Sequence, residues 1–211
     1  MKKIVVGLIF TIFCELNLFA GDYELGLEFA NKGDFTKASE LFKKDCEEGS
    51  SFSCHNLGVL YVNGYGLKQD YVKANELFNK ACDDGSSNSC HNLALNYSHG
   101  QGVEQNYSKA SELYEKACNI GNVNSCYNLG LIYDKGKGVK QDYLKASELY
   151  KKACDGKYID ACYNLGDMYG RGEGVKRDGE KAKEFYGKAC SLGDRESCEK
   201  YKVLEAWSRP K

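Results

Sequence analysis

Nowhere in these 211 residues do two cysteines stand as C-x-x-C, and histidine occurs only three times. Zinc sites are built from such pairs or from clustered histidines, so no metal and no other cofactor is expected. A basic excess is missing too: 29 Lys and Arg face 30 Asp and Glu, interleaved without a long block of either sign. A nucleic-acid binder carries a basic face, and the chain offers none. Beyond residue 20 there is no run near the roughly 20 apolar residues that a membrane span needs.

The single apolar run is at the beginning. Lys2 and Lys3 precede "IVVGLIFTIF", and the segment closes at "NLFA" with Ala20 beside Gly21. A basic start, a short apolar stretch and a small final residue describe an export signal over 1–20, cleaved after Ala20. Cys14 raises the alternative of a lipid anchor, against which the bulky Phe13 stands. The remaining chain carries 27 basic and 29 acidic residues and is expected to be soluble and monomeric, secreted or periplasmic. It keeps ten cysteines, an even number, which in an exported chain points to disulfides.

Those cysteines are periodic. Cys46, Cys82, Cys118, Cys154 and Cys190 recur every 36 residues, and eight positions after each comes Cys54, Cys90, Cys126, Cys162 or Cys198. A fixed period of about 20–50 residues marks a stacked-repeat architecture. The rest of the unit keeps step: "NLG" or "NLA" from Asn56, Asn92, Asn128 and Asn164, then Tyr61, Tyr97, Tyr133 and Tyr169, then paired glycines, then Asp70, Asn106, Asp142 and Asp178. Two helices fit each unit. In the first, Leu57, Gly58 and Tyr61 share a face; Gly58 costs helix propensity, so its recurrence implies a close approach there. Asp70 and its equivalents are placed to cap the second helix. Ala74, Leu77, Phe78 and Ala81 face inward on that helix, with Lys73, Glu76 and Lys80 on the wet side. Gly49, Gly85, Gly121 and Gly193 stop it, and the fourth unit departs, with Gly156 one place early and Lys157 in the slot.

Eight residues of unbroken helix rise about 12 Å, while a disulfide needs Cα atoms within about 7 Å. Cysteines eight apart can join only if the chain reverses between them, as "DDGSSNS" invites. Each bridge would then tie one second helix to the next first helix, stabilising by roughly 2.6 kcal/mol for a nine-residue loop in the entropic account. An abbreviated unit starts at residue 22, and "EKYKVLEAW" after Cys198 lacks the "NLG" core and ends polar. The expected fold is an all-α, right-handed α/α solenoid over 21–197, five helix pairs, with a capping helix and tail over 198–211.

The unit "NLGVLYVNGYGLKQDYVKANELFNKAC" resembles the Sel1-like repeat, a relative of the tetratricopeptide repeat with a longer inter-helix loop. Cysteines eight apart in every unit resemble the Helicobacter cysteine-rich protein family in particular. The tetratricopeptide proline at the unit boundary is missing, Pro210 being the only proline, and the cysteine-bearing turn stands in its place. The resemblance implies binding of a peptide or protein segment in a concave groove. It also implies an alternative, because members of the cysteine-rich family are labelled penicillin-binding or β-lactamase: a β-lactam or cell-wall fragment as ligand, and hydrolysis as the activity.

A serine β-lactamase uses S-x-x-K, S-D-N and K-T-G. The last two are absent, and S-x-x-K occurs as Ser197–Lys200 and Ser208–Lys211; 15 serines and 25 lysines yield about two such matches by chance. Ser197 stands near a helix start, where capping explains it. No catalytic residue is assigned. By resemblance to tetratricopeptide grooves, the first helices present His55 and Val59, His91 and Leu95, Tyr127 and Leu131, Tyr163 and Asp167, and farther along Asn63, His99, Lys135 and Arg171. These vary between repeats, from contact with a ligand or from tolerance at exposed sites. The constant Asn56, Asn92, Asn128 and Asn164 either pair with a peptide backbone or satisfy local backbone groups.

Overall fold

A computed structural model describes residues 21–208; the expected export signal with Cys14, and Lys211 of the second S-x-x-K match, lie outside the described residues. All regular elements among them are helices: α1 (Asp22–Asn31), α2 (Phe35–Glu47), α3 (Ser51–Asn63), α4 (Tyr71–Asp83), α5 (Ser87–His99), α6 (Tyr107–Asn119), α7 (Val123–Lys135), α8 (Tyr143–Asp155), α9 (Ile159–Arg171), α10 (Gly179–Ser191) and α11 (Arg195–Ser208). These are five helix pairs and a terminal helix, the all-α repeat expected from the 36-residue period. None of these helices is long and apolar enough to cross a membrane. Two compact units divide between Ser86 and Ser87.

In the first unit, α1 to α4, the second helices start where the capping residues predict. Asp34 accepts from the Lys37 amide, and Asp70 from the Val72 and Lys73 amides, filling orphan donors of the first turn. The recurring helical glycine is where a ring lands. A Cβ on Gly58 would lie 2.6 Å from the Phe78 ring, and one on Gly26 the same distance from Phe42. That close approach lets Phe42 join Ala38, Leu57 and Leu60 in a core flanked by Tyr23, Phe29 and Tyr61. The glycine of the inter-helix loop has a second role. Gly66 has φ +69°, and a Cβ there would strike the Phe35 carbonyl carbon at 2.3 Å, so the loop packs onto the first turn of α2.

The second unit, α5 to α11, repeats the scheme. Each helix makes its main contacts with the helices before and after it in the chain, as a stacked array should. Gly130 receives Tyr150 and Gly166 receives Tyr186, with a Cβ 2.7 and 2.8 Å from ring carbons. Asn106, Asp142 and Asp178 cap α6, α8 and α10 through the Lys109, Lys145 and Lys181 amides. The core gathers Ala146, Tyr150, Leu165, Met168 and Phe185. Gly138 and Gly174 pack on the first turns of α6 and α8, at Tyr107–Ser108 and Tyr143–Leu144.

The cysteine spacing closes as the reversal requires. Cys46–Cys54 joins α2 to α3 with Cα atoms 4.7 Å apart; Cys118–Cys126, Cys154–Cys162 and Cys190–Cys198 do the same between second and first helices at 4.7, 4.7 and 4.6 Å. Cys82 and Cys90 are disulfide-bonded as well. The turn between α6 and α7 shows how: the Gly121 amide donates to the Cys118 carbonyl and the Asn122 amide to the Ala117 carbonyl, the pattern of a left-handed helix stop.

Two details differ from the sequence reading, and the departure of the fourth unit follows it. Lys80 is not merely on the wet side: its Nζ donates to the Cys46 carbonyl, and Lys152 Nζ to the Cys118 carbonyl at 2.9 Å, so each satisfies a helix end one repeat back. In the fourth unit Lys157 itself takes the left-handed conformation, φ 65°, while Gly156 lies against Val123, whose methyl would be 2.6 Å from an added Cβ. The terminal helix does not end polar. Val203 is 53% and Trp207 83% exposed, because no helix among the described residues follows to cover that face.

Candidate functional site

The groove positions of α5 and α7 converge. A cleft of about 190 Å3 lies between them, with Leu95, Ser98 and His99 on one wall and Asn128, Leu131, Ile132 and Lys135 on the other. Its base is Tyr107 and Tyr114 of α6, and Lys137 overhangs from the loop after α7. Five expected residues are therefore brought together: Leu95, His99, Asn128, Leu131 and Lys135. The Tyr114 hydroxyl is held protonated chiefly by burial, tempered by hydrogen bonds from Ser98 and Asn128. Lys137 Nζ stands 5.4 Å from the Tyr107 ring centroid, a cation–π arrangement, and the packing of Gly138 on Tyr107 holds it there. No carboxylate is among the described residues that line the cleft.

Tyr107, Tyr114 and Lys137 lie outside the first helices, where the resemblance places groove contacts, and Ser98 and Ile132 lie on those helices beside the expected positions. A signal existed. Between the paired glycines the residue changes from Tyr65 to Gln101, Lys137 and Glu173, the variation that singled out the first-helix positions. In the first unit Tyr65 stacks on Phe35 at 4.9 Å, so the equivalent loop ends in a ring pair.

Other expected residues are committed elsewhere. His91 packs on the Tyr114 ring at 5.6 Å and shares a 2.8 Å hydrogen bond between its Nδ1 and Ser125 Oγ; burial holds the imidazole below its ordinary pKa. His55 lies 5.7 Å from the Phe78 ring, with its pKa lowered for the same reason. Tyr127 stacks on Tyr158 at 4.5 Å. Asn63 is exposed, and its amide donates to the Val59 carbonyl. Asn56 and Asn92 are half-buried. Asn128 hydrogen-bonds the Tyr114 hydroxyl, and Asn164 those of Tyr127 and Tyr150. In these two repeats the constant asparagine therefore holds a tyrosine of the preceding repeat.

A second cleft, about 380 Å3, lies where α9, α10 and α11 meet, lined by Gly170, Gly179, Ala182 and Tyr186 and by Lys200, Val203 and Leu204, with Arg177 and Glu199. Beside it is a polar knot. Lys200 Nζ donates to Asp167 at 2.8 Å and to the Tyr163 hydroxyl at 2.6 Å. Tyr163 donates to Glu196, Tyr186 to Asp167, and Arg171 pairs with Asp167 at 3.3 Å.

The knot bears on Ser197–Lys200. Burial pulls the Lys200 ammonium down, but Asp167 and Tyr163 outweigh it and leave its pKa raised. A serine needs a neutral amine as base, and this one is held charged. Ser197 Oγ has no hydrogen-bond partner and the residue is 0% exposed. No group of three or more His, Cys, Asp or Glu among the described residues could hold a metal ion.

Residues 51–86, 87–122, 123–158 and 159–194 each match the Sel1 repeat. Over 70 residues the chain is 36% identical to HcpE of Helicobacter pylori, a protein provisionally named a beta-lactamase; the match covers 31% of this chain and 20% of HcpE. The crystal structure of c5321, a protective antigen of uropathogenic Escherichia coli with an SLR fold, superposes with a TM-score of 0.86 at 28% identity, over 90% of this chain and 42% of that one. A Sel1 repeat protein from Oxalobacter formigenes gives 0.75 at 25% identity, over 88% and 77%. The chain thus spans less than half of c5321, and its match a fifth of HcpE. With four tandem units matched in register with the cysteine period, the chain belongs to the Sel1 repeat family.

Proposed function

We propose that the protein is an interaction scaffold outside the cytoplasm, binding a peptide or protein segment along the first-helix face of its repeats. The observation that carries this reading is the convergence of Leu95, His99, Asn128, Leu131 and Lys135 on one cleft. Asn128 apart, these positions vary between repeats, while the core leucines Leu57, Leu93, Leu129 and Leu165 and the paired cysteines do not. The bridged cysteines support a location outside the reducing cytoplasm.

Panning a random twelve-residue peptide library on the oxidised protein tests it. Recovered peptides should bind saturably, and Leu131→Asp should weaken them at least tenfold while a thermal melt stays cooperative. Failure to recover any peptide, or peptides indifferent to Leu131→Asp, overturns it.

Hydrolysis of β-lactams draws no support from the site. Ser197 is fully buried, and its candidate base Lys200 is tied to Asp167 and Tyr163. Steady-state β-lactam hydrolysis by the oxidised protein, beside a Ser197→Ala control, is expected to show no turnover above buffer. Sustained turnover retained through purification would mean a site spread over several repeats.

A further inference from the structure

The two clefts of the second unit are one feature seen twice. A shift of two repeats, 72 residues, carries Tyr114 onto Tyr186, Asn128 onto Lys200 and Leu131 onto Val203, and each of these six lines its cleft. The two differ in chemistry. At the first, Lys135 and Lys137 are exposed at the rim, and no carboxylate is among the described residues that line it. At the second, Gly170 and Gly179 stand where Ser98 and Tyr107 stand in the first, which widens it and leaves Ala182, Val203 and Leu204 as its walls. Its lysine is engaged by Asp167, and Arg177 and Glu199 bring opposite charges. In the intervening repeat the equivalent tyrosine, Tyr150, donates its hydroxyl to Asp134 at 3.4 Å, so a carboxylate stands there where Ser98 stands in the first cleft.

We infer that these clefts read one extended peptide: the α5–α7 cleft takes an acidic side chain, and the cleft beside α11 takes an apolar one. Charge complementarity selects the first occupant. Two ammonium groups at the rim, with no carboxylate among the described lining residues, favour a carboxylate and repel a cation. The apolar walls and exposed Val203 select the second, since an aliphatic or aromatic side chain removes that surface from water. Because the clefts stand at the same place in repeats of one array, a strand lying along the first helices meets both.

This rests on the scaffold reading, and the peptides recovered above distinguish the two. They should be enriched in Asp or Glu, with an apolar residue at a constant offset. Lys135→Glu with Lys137→Glu should weaken them at least tenfold, and raising salt from about 0.05 to 0.5 M should weaken wild-type binding, as screening demands. Val203→Asp should lower affinity for peptides keeping the apolar residue, with little effect on those where it is replaced by serine. These side chains are exposed, so the fold is spared. Peptides that lose binding with Leu131→Asp yet carry no acidic enrichment and ignore the lysine reversals would overturn the acidic assignment alone. Insensitivity to Val203→Asp would overturn the second cleft, and recovery of no peptide would end both readings together.

Discussion

His91 is the clearest case of one residue serving the array rather than a ligand. Its ring is packed against Tyr114 and hydrogen-bonded to Ser125 of the next repeat, and burial disfavours its charged form. The folded-state pKa lies below the unfolded value of about 6.5, so the stabilisation is present above that pH and lost as pH falls through it. His91→Tyr, the residue later repeats carry, should flatten the loss of thermal stability between about pH 7 and pH 5. At pH 8 it should cost about 1 kcal/mol, since Ser125 loses its partner. Lys157 makes the opposite case. Its left-handed backbone, φ 65°, costs a side-chain-bearing residue about 1–2 kcal/mol. Lys157→Gly should raise unfolding stability by about 1 kcal/mol, read from a denaturant midpoint.

At the scale of elements, the inter-helix loops are positioned by glycine on backbone. Gly138 has φ +68°, and a Cβ would lie 2.5 Å from Tyr107 Cβ and 2.9 Å from the Ser108 nitrogen. Gly138→Ala therefore meets backbone strain and a clash together, about 2–4 kcal/mol. The loop it displaces carries Lys137, so peptide affinity at the α5–α7 cleft should fall along with the melting temperature. Gly121→Ala is the control. It has positive φ but nothing within 4 Å of an added Cβ, so it should destabilise by about 1 kcal/mol and leave affinity unchanged.

At the scale of the molecule, stability is divided among repeats. The main contacts run between helices adjacent in the chain, so energies sum over repeats and interfaces, and loss of one bridge should act locally. Replacing Cys118 and Cys126 by serine removes a nine-residue loop closure, about 2–3 kcal/mol. Hydrogen exchange should rise first in α6 and α7, with α10 and α11 protected until higher denaturant. Uniform loss of protection would mean the unit unfolds as one. Peptide mapping without reduction should recover cysteines joined eight apart; pairs at any other spacing would sink the clamp account.

How much of this was legible follows from the range of each interaction. The period, the helix pairs, the Asp70-type caps and the bridging of cysteines eight apart depend on residues close together in the chain, where φ/ψ preference and side-chain reach decide the outcome. The sequence alone determined these. Apart from the bridges, what joins one repeat to the next depends on how helix pairs stack, and no local propensity encodes it. The tertiary structure therefore decided that His91 bonds Ser125, that Asn164 holds Tyr150, and that Gly138 pins Lys137 over Tyr107. It also decided which variable positions meet. Leu95 and Leu131 are one repeat apart in the chain, and only the packing of α5, α6 and α7 makes them two walls of one cleft.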